Sequence, residues 1–83
     1  MADDLPLMKE FNSSAVTHVR YHPEEQTLDI WYRGGDRYSY FDVPAELYRG
    51  LLDAESVGQY VNFEIKPDRR FELEPGRRRF RPG

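Results

Sequence analysis

The chain reads as an α+β domain: a three-stranded antiparallel β-meander followed by two short helices packed on one sheet face, with Phe71-Glu72-Leu73 as candidate for a short fourth strand. Three observations carry this reading. From Ile30 to Phe41, two aromatic-rich runs flank Gly34-Gly35-Asp36, the pattern of a β-hairpin. After Val43-Pro44, the residues Leu47, Tyr48, Leu51 and Leu52 recur at helical spacing. Ser56 then opens a second apolar-periodic segment that Pro67 closes.

Residues 1–12 alternate poorly and contain Pro6, so they are expected as a flexible lead-in. The domain is placed at residues 13–74 and a basic disordered tail at 75–83. Ser13 through Tyr21 has the alternating, β-branched character of a strand with Val19 and Tyr21 on one face, and Val16 falls off that alternation, as at a bulge or at a strand start that packs differently. His22-Pro23-Glu24-Glu25-Gln26-Thr27 is a polar turn with a proline. For the hairpin, a three-residue loop Gly34-Gly35-Asp36 pairs Tyr32 with Tyr38 and Ile30 with Tyr40. That register keeps Leu28, Ile30, Tyr32, Tyr38 and Tyr40 on one face and sends Asp29, Arg33, Arg37 and Ser39 outward, whereas a one-residue slip buries charge. Trp31 and Phe41 are left on the outer face. Asp42 or Val43 is expected at the first helix cap, with Pro44 in the first helical position. Gly58 inside the second helix costs about 1 kcal/mol relative to alanine, so close packing is expected there. The predicted core is Val19, Tyr21, Leu28, Ile30, Tyr32, Tyr40, Leu47, Leu51, Tyr60 and Ile65.

Eighty-three residues make one domain near the size at which a single core only just offsets chain entropy. With no cysteine, neither disulfides nor thiolate metal sites are available to supplement that core. No secretory leader and no membrane-length apolar run stand in the sequence, so a cytoplasmic protein without membrane contact is expected. The charge is asymmetric. Residues 1–65 hold five Lys/Arg against twelve Asp/Glu, a net of −7, whereas residues 66–83 carry +4 through Lys66, Arg69, Arg70, Arg77, Arg78, Arg79 and Arg81. Such a split fits a nucleic-acid-binding arm on an acidic body, or a tail that merely neutralises the body.

Ser13-Ser14, the turn into Thr27-Leu28, the Gly34-Gly35 hairpin, Tyr38-Ser39-Tyr40-Phe41, Val43-Pro44, and Ser56-x-Gly58-x-Tyr60-x-Asn62-x-x-Ile65 together resemble the KTSC domain. The resemblance covers roughly residues 13–66. It implies a small bacterial module, found alone or at the C-terminus of some lysyl-tRNA synthetases. The synthetase context suggests RNA as ligand, and no catalytic residues carry over. His22 departs from the pattern, since Asp is commoner before the turn proline. The acidic head and Arg-rich tail lie outside the resemblance.

Trp31, beside Arg33 and Ser39 and with Arg37 near, suits a base-stacking platform, a protein-interaction hot spot, or a ring covered by residues 1–12 or 67–74. Tyr38 and Tyr40 face inward by the same alternation. His18 and His22 share a face but lie about 13 Å apart along a strand, without a third ligand, so no metal is assigned. Ser13-Ser14 with His18 lacks an oxyanion hole and a third residue, so no catalytic residue is assigned either. The expectation is a non-enzymatic binding module without a small-molecule cofactor, binding RNA (tRNA) through Trp31, Arg33, Arg37, Lys66, Arg69, Arg70, Arg77, Arg78, Arg79 and Arg81. The alternative is a protein–protein interaction domain presenting the aromatic hairpin.

Overall fold

Alternation in the first half of the chain builds a sheet wider than the meander the sequence predicts. Five strands hydrogen-bond in sequence order as one antiparallel sheet: β1 (Met8–Glu10), β2 (Val16–His22), β3 (Thr27–Tyr32), β4 (Arg37–Tyr40) and β5 (Phe71–Glu74). Between β4 and β5 come helix α1 (Ala45–Leu52) and helix α2 (Val57–Tyr60), the latter running on into a π-helical turn at Val61–Ile65. This is a computed structural model that describes residues 5–67 and 69–74. The α+β class holds, and the strand count is corrected from three, with a candidate fourth, to five.

Both strands beyond the three-stranded meander lie at sheet edges. Met8–Glu10 was expected inside a flexible lead-in, yet it pairs with β2, Met8 opposite Arg20 and Glu10 opposite His18. All three β1 residues are exposed, so burial imposes no alternation there and the strand is silent in the sequence. Its anchors lie outside it. Leu5 and Phe11 pack against the core, the Tyr21 amide donates to the Leu7 carbonyl at 2.8 Å, and the Tyr48 hydroxyl donates to the Pro6 carbonyl. At the other edge the candidate strand is present and runs to Glu74.

The hairpin register also differs. The loop is Arg33-Gly34-Gly35, with φ of 103° and 102° at the two glycines, and the Tyr32 amide donates to the Asp36 carbonyl at 2.9 Å. Leu28 therefore faces Tyr40 and Ile30 faces Tyr38, a shift of two residues from the expected pairs. A two-residue shift preserves parity, so the expected faces survive. The two residues that need positive φ set the loop, and glycine alone adopts it without strain. Of the two alternatives at Val16 the bulge is the one present, between Val16 and His18.

Asp42, expected near the helix cap, sits at φ 60° in the tight turn leaving β4. Pro44 takes the cap position instead, its carbonyl accepting the Leu47 and Tyr48 amides. Ser56 caps α2 as expected, accepting the Gln59 amide at 3.4 Å. An alanine methyl at Gly58 would stand 3.3 Å from the Ala15 Cβ, a close packing of the kind expected at this glycine.

The helices cover the sheet face that carries Val19, Tyr21, Leu28, Ile30 and Tyr40. These join Val16, Val43, Tyr48, Leu51, Val57, Val61 and Ile65 in one buried cluster, with Tyr32, Leu47 and Tyr60 half-buried at its margin. Val16, Val43, Tyr48, Val57 and Val61 are additions to the expected core. No helix among the described residues is long and apolar enough to cross a membrane.

Candidate functional site

The face of the sheet opposite the helices carries two side-chain rows, each crossing all five strands. Strand parity fixes them. One row is Glu10, His18, Trp31, Arg37 and Glu74; the other is Met8, Arg20, Asp29, Ser39 and Glu72.

In the first row Trp31 is half-buried and its indole stacks on the His18 imidazole, centroids 4.4 Å apart and planes 13° apart. The bulge at Thr17 builds this stack. Its hydroxyl donates to the Trp31 carbonyl at 3.1 Å and lies 2.9 Å from His18 Nδ1. On the other side of Trp31, Arg37 places Nη2 2.6 Å from a Glu74 carboxylate oxygen.

The second row is organised by Asp29, only 7% exposed. Ser39 Oγ donates to Asp29 Oδ1 at 2.6 Å, and His22 Nε2 lies 2.9 Å from Oδ2. The carboxylate thus stands between hydroxyl and imidazole. A serine nucleophile needs its base in direct contact, whereas here the serine hydrogen bond goes to the acid. The arrangement satisfies a buried carboxylate and holds β2, β3 and β4 together.

The remaining sequence-predicted residues do not converge on one spot. Arg33 Nε donates to the Ser13 carbonyl at 2.9 Å, tying the hairpin tip to the chain before β2. Arg69 donates to the carbonyls of Ile65 and Asp42 at 2.8 and 2.7 Å, a structural clamp between the π turn and the end of β4. Two of its donors, Nε and Nη1, are thus engaged within the fold. Arg70 lies over the Phe41 ring, 5.0 Å from its centroid, on the same face as Trp31. Lys66 lines a small cleft of 220 Å³ with Tyr32, Asp36 and Tyr38, and those tyrosines belong to the helix-covered face, so Lys66 is separated from Trp31. Arg77, Arg78, Arg79 and Arg81 lie outside the described residues. Sequence reasoning sent Asp29 to this face but did not single it out, and it missed His18 and Arg20 as members of the face. Strand alternation through 18, 20 and 22 was the available signal, but pairing them with Trp31 and Asp29 required the register.

Burial raises the proton affinity of Tyr21, Tyr32, Tyr40, Tyr48 and Tyr60 hydroxyls, Tyr48 being pushed up to about 12. All therefore remain neutral near pH 7. Among the described residues no group of three His, Cys, Asp or Glu is placed to hold a metal ion.

Residues 12–71 match the KTSC domain. The chain belongs to the KTSC domain family. A KTSC domain protein of Yersinia pestis, known from its crystal structure, superposes with a TM-score of 0.74 at 25% identity, covering 78% of this chain and 92% of that one. A protein of Tsukamurella paurometabola is 43% identical over 60 residues, which are 72% of this chain and 90% of the relative. An uncharacterized protein of Stutzerimonas stutzeri is 38% identical, covering 66% of this chain and 78% of that protein. A lysine–tRNA ligase of a Nostoc species is 37% identical over 81% of this KTSC chain, though the match spans only 12% of the ligase. The KTSC domain is a family of unknown function.

Proposed function

We propose that this KTSC domain is a non-catalytic module that binds single-stranded RNA, tRNA included, on the sheet face opposite the helices. The observation that carries the reading is the row in which the chain's only tryptophan lies between His18 and Arg37. A ring buttressed from one side, with a guanidinium beside it, matches the chemistry of a base and its phosphate. Arg20 in the neighbouring row and Arg70 over Phe41 add cations on the same face. The similarity to a short stretch of lysine–tRNA ligases favours RNA as the class of ligand. The arginines beyond Glu74 supply long-range attraction that the acidic body lacks.

The test is a titration with mixed bacterial tRNA and with unstructured RNA, read by Trp31 fluorescence and by amide shifts. Saturable quenching is expected, with affinity falling linearly in log salt. Trp31→Ala should cost ~1–3 kcal/mol of binding. A chain ending at Glu74 should keep the buried cluster but bind more weakly, with a shallower salt slope. Absence of binding at low salt overturns the reading. A protein partner is the second reading, favoured by the prior engagement of Arg33 and Arg37 within the fold. Its signature is Trp31-dependent association that changes little with salt.

A further inference from the structure

We propose that Glu74 occupies, in the free protein, the place of a nucleic-acid phosphate on Arg37, so that the Arg37–Glu74 pair is a self-inhibitory contact on the RNA-binding face. This deepens the RNA reading and rests on it.

Four observations converge. Arg37 stands directly across from Trp31 on one side and from Glu74 on the other, so an anion on its guanidinium lies one strand away from the indole. A nucleotide stacked on Trp31 carries its phosphate over a comparable span. The anion position is already filled, because the Glu74 carboxylate sits 2.6 Å from Arg37 Nη2. Carboxylate and phosphodiester oxygens present the same acceptor chemistry to a guanidinium. The contact is also suited to exchange. The Glu74 side chain is 59% exposed and that of Arg37 31%, and an ion pair at that exposure is worth little against water. Glu74 ends an edge strand whose four residues are all exposed, so the carboxylate can swing out without disturbing the buried cluster. Finally, Arg37 Nε is buried without a hydrogen-bond partner among the described residues. The guanidinium is therefore incompletely satisfied by Glu74, and turning toward a phosphate offers that donor an acceptor.

Glu72 sits next on the same strand and face, opposite Ser39 rather than Arg37. It carries the same charge without the contact, and so separates release of Arg37 from a general change in net charge.

The experiment measures binding of a fluorescein-labelled single-stranded RNA of about twelve nucleotides, a length within reach of one small binding face, to the full chain. Wild type is compared with Glu74→Gln, Glu72→Gln, Arg37→Gln and the double variant Arg37→Gln/Glu74→Gln, at several salt concentrations, with Trp31 fluorescence as second readout. Glu74→Gln should bind about two- to fivefold tighter, the range set by the strength of an exposed ion pair. Arg37→Gln should bind more weakly, its salt slope reduced by about 0.7, as for one lost phosphate contact on a single strand. In the Arg37→Gln background, Glu74→Gln should add nothing beyond what Glu72→Gln adds. If wild type binds RNA and Glu74→Gln is unchanged or no tighter than Glu72→Gln, the inhibitory contact is refuted while the RNA reading stands. If no variant binds RNA, both fall. If wild type binds only at low salt while Glu74→Gln still binds at moderate salt, the contact is supported in its strongest form.

Discussion

Tyr21 and Tyr48 stack with ring centroids 4.5 Å apart and planes 12° apart, joining β2 to α1 at the centre of the buried cluster. Their hydroxyls then diverge. Tyr21 donates to the Val43 carbonyl at 2.6 Å, and Tyr48 donates to the Pro6 carbonyl. One aromatic pair thus ties the sheet to the helix, to the turn before the helix and to the chain leading into β1.

The Tyr48 hydroxyl should contribute measurably to stability. Tyr48→Phe keeps the ring stack and removes the donor to the Pro6 carbonyl, so a loss of about 1 kcal/mol is expected. Tyr48→Ala empties a fully buried site and should cost ~3–5 kcal/mol. Urea unfolding of the two variants checks the ordering, and a Tyr48→Phe midpoint equal to wild type would remove the Pro6 bond from the account.

Gly50 should resist the substitution that helix propensity favours. A methyl there would run into the Tyr60 hydroxyl and stand 3.0 Å from its Cζ, while that hydroxyl donates to the Leu47 carbonyl at 2.9 Å. Gly50→Ala is therefore expected to destabilise by ~1–3 kcal/mol, as overpacking does, despite the ~1 kcal/mol that alanine gains in a helix. The cost should shrink in a Tyr60→Phe background. Equal costs in both backgrounds contradict the clash.

Stability should fall at alkaline pH. Tyr48 titrates near 12 in the fold against 10.0 for an exposed tyrosine, so its proton is held more tightly folded than unfolded. The stabilisation is complete below about pH 10 and is lost as pH rises toward 12, because the unfolded chain releases the proton first. Tyr21, Tyr32, Tyr40 and Tyr60 shift in the same direction for the same reason, burial. Urea midpoints recorded across that range, together with tyrosinate absorbance, check the sign. Tyrosine ionisation that precedes unfolding would contradict it.

Asp29→Ala should lower stability by ~1–3 kcal/mol, since it leaves the buried Ser39 hydroxyl without its acceptor and His22 without its partner. Adding Ser39→Ala should recover part of the loss, because both ends of the bond are then apolar. A strictly additive pair of variants speaks against the network.

The sequence by itself determined the α+β class, the parity of the strands, the second helix cap and seven of the residues that end in the buried cluster, Val19, Tyr21, Leu28, Ile30, Tyr40, Leu51 and Ile65. It also placed Trp31 and Arg37 together on the outer face. These follow from local rules: a side-chain period of two in strands, an apolar stripe in helices, and the restricted choices at glycine, proline and serine. Only the tertiary structure decided the first edge strand, the register of the hairpin and the partners of the arginines. Met8–Glu10 forms a strand because β2 offers it an edge, and its exposed side chains record nothing of that. Arg37 and Arg69 have equal charge in the sequence, but one meets Glu74 beside Trp31 and the other closes two backbone carbonyls. Charge is legible residue by residue, whereas what neutralises it depends on which distant strand or turn the fold brings within about 3 Å.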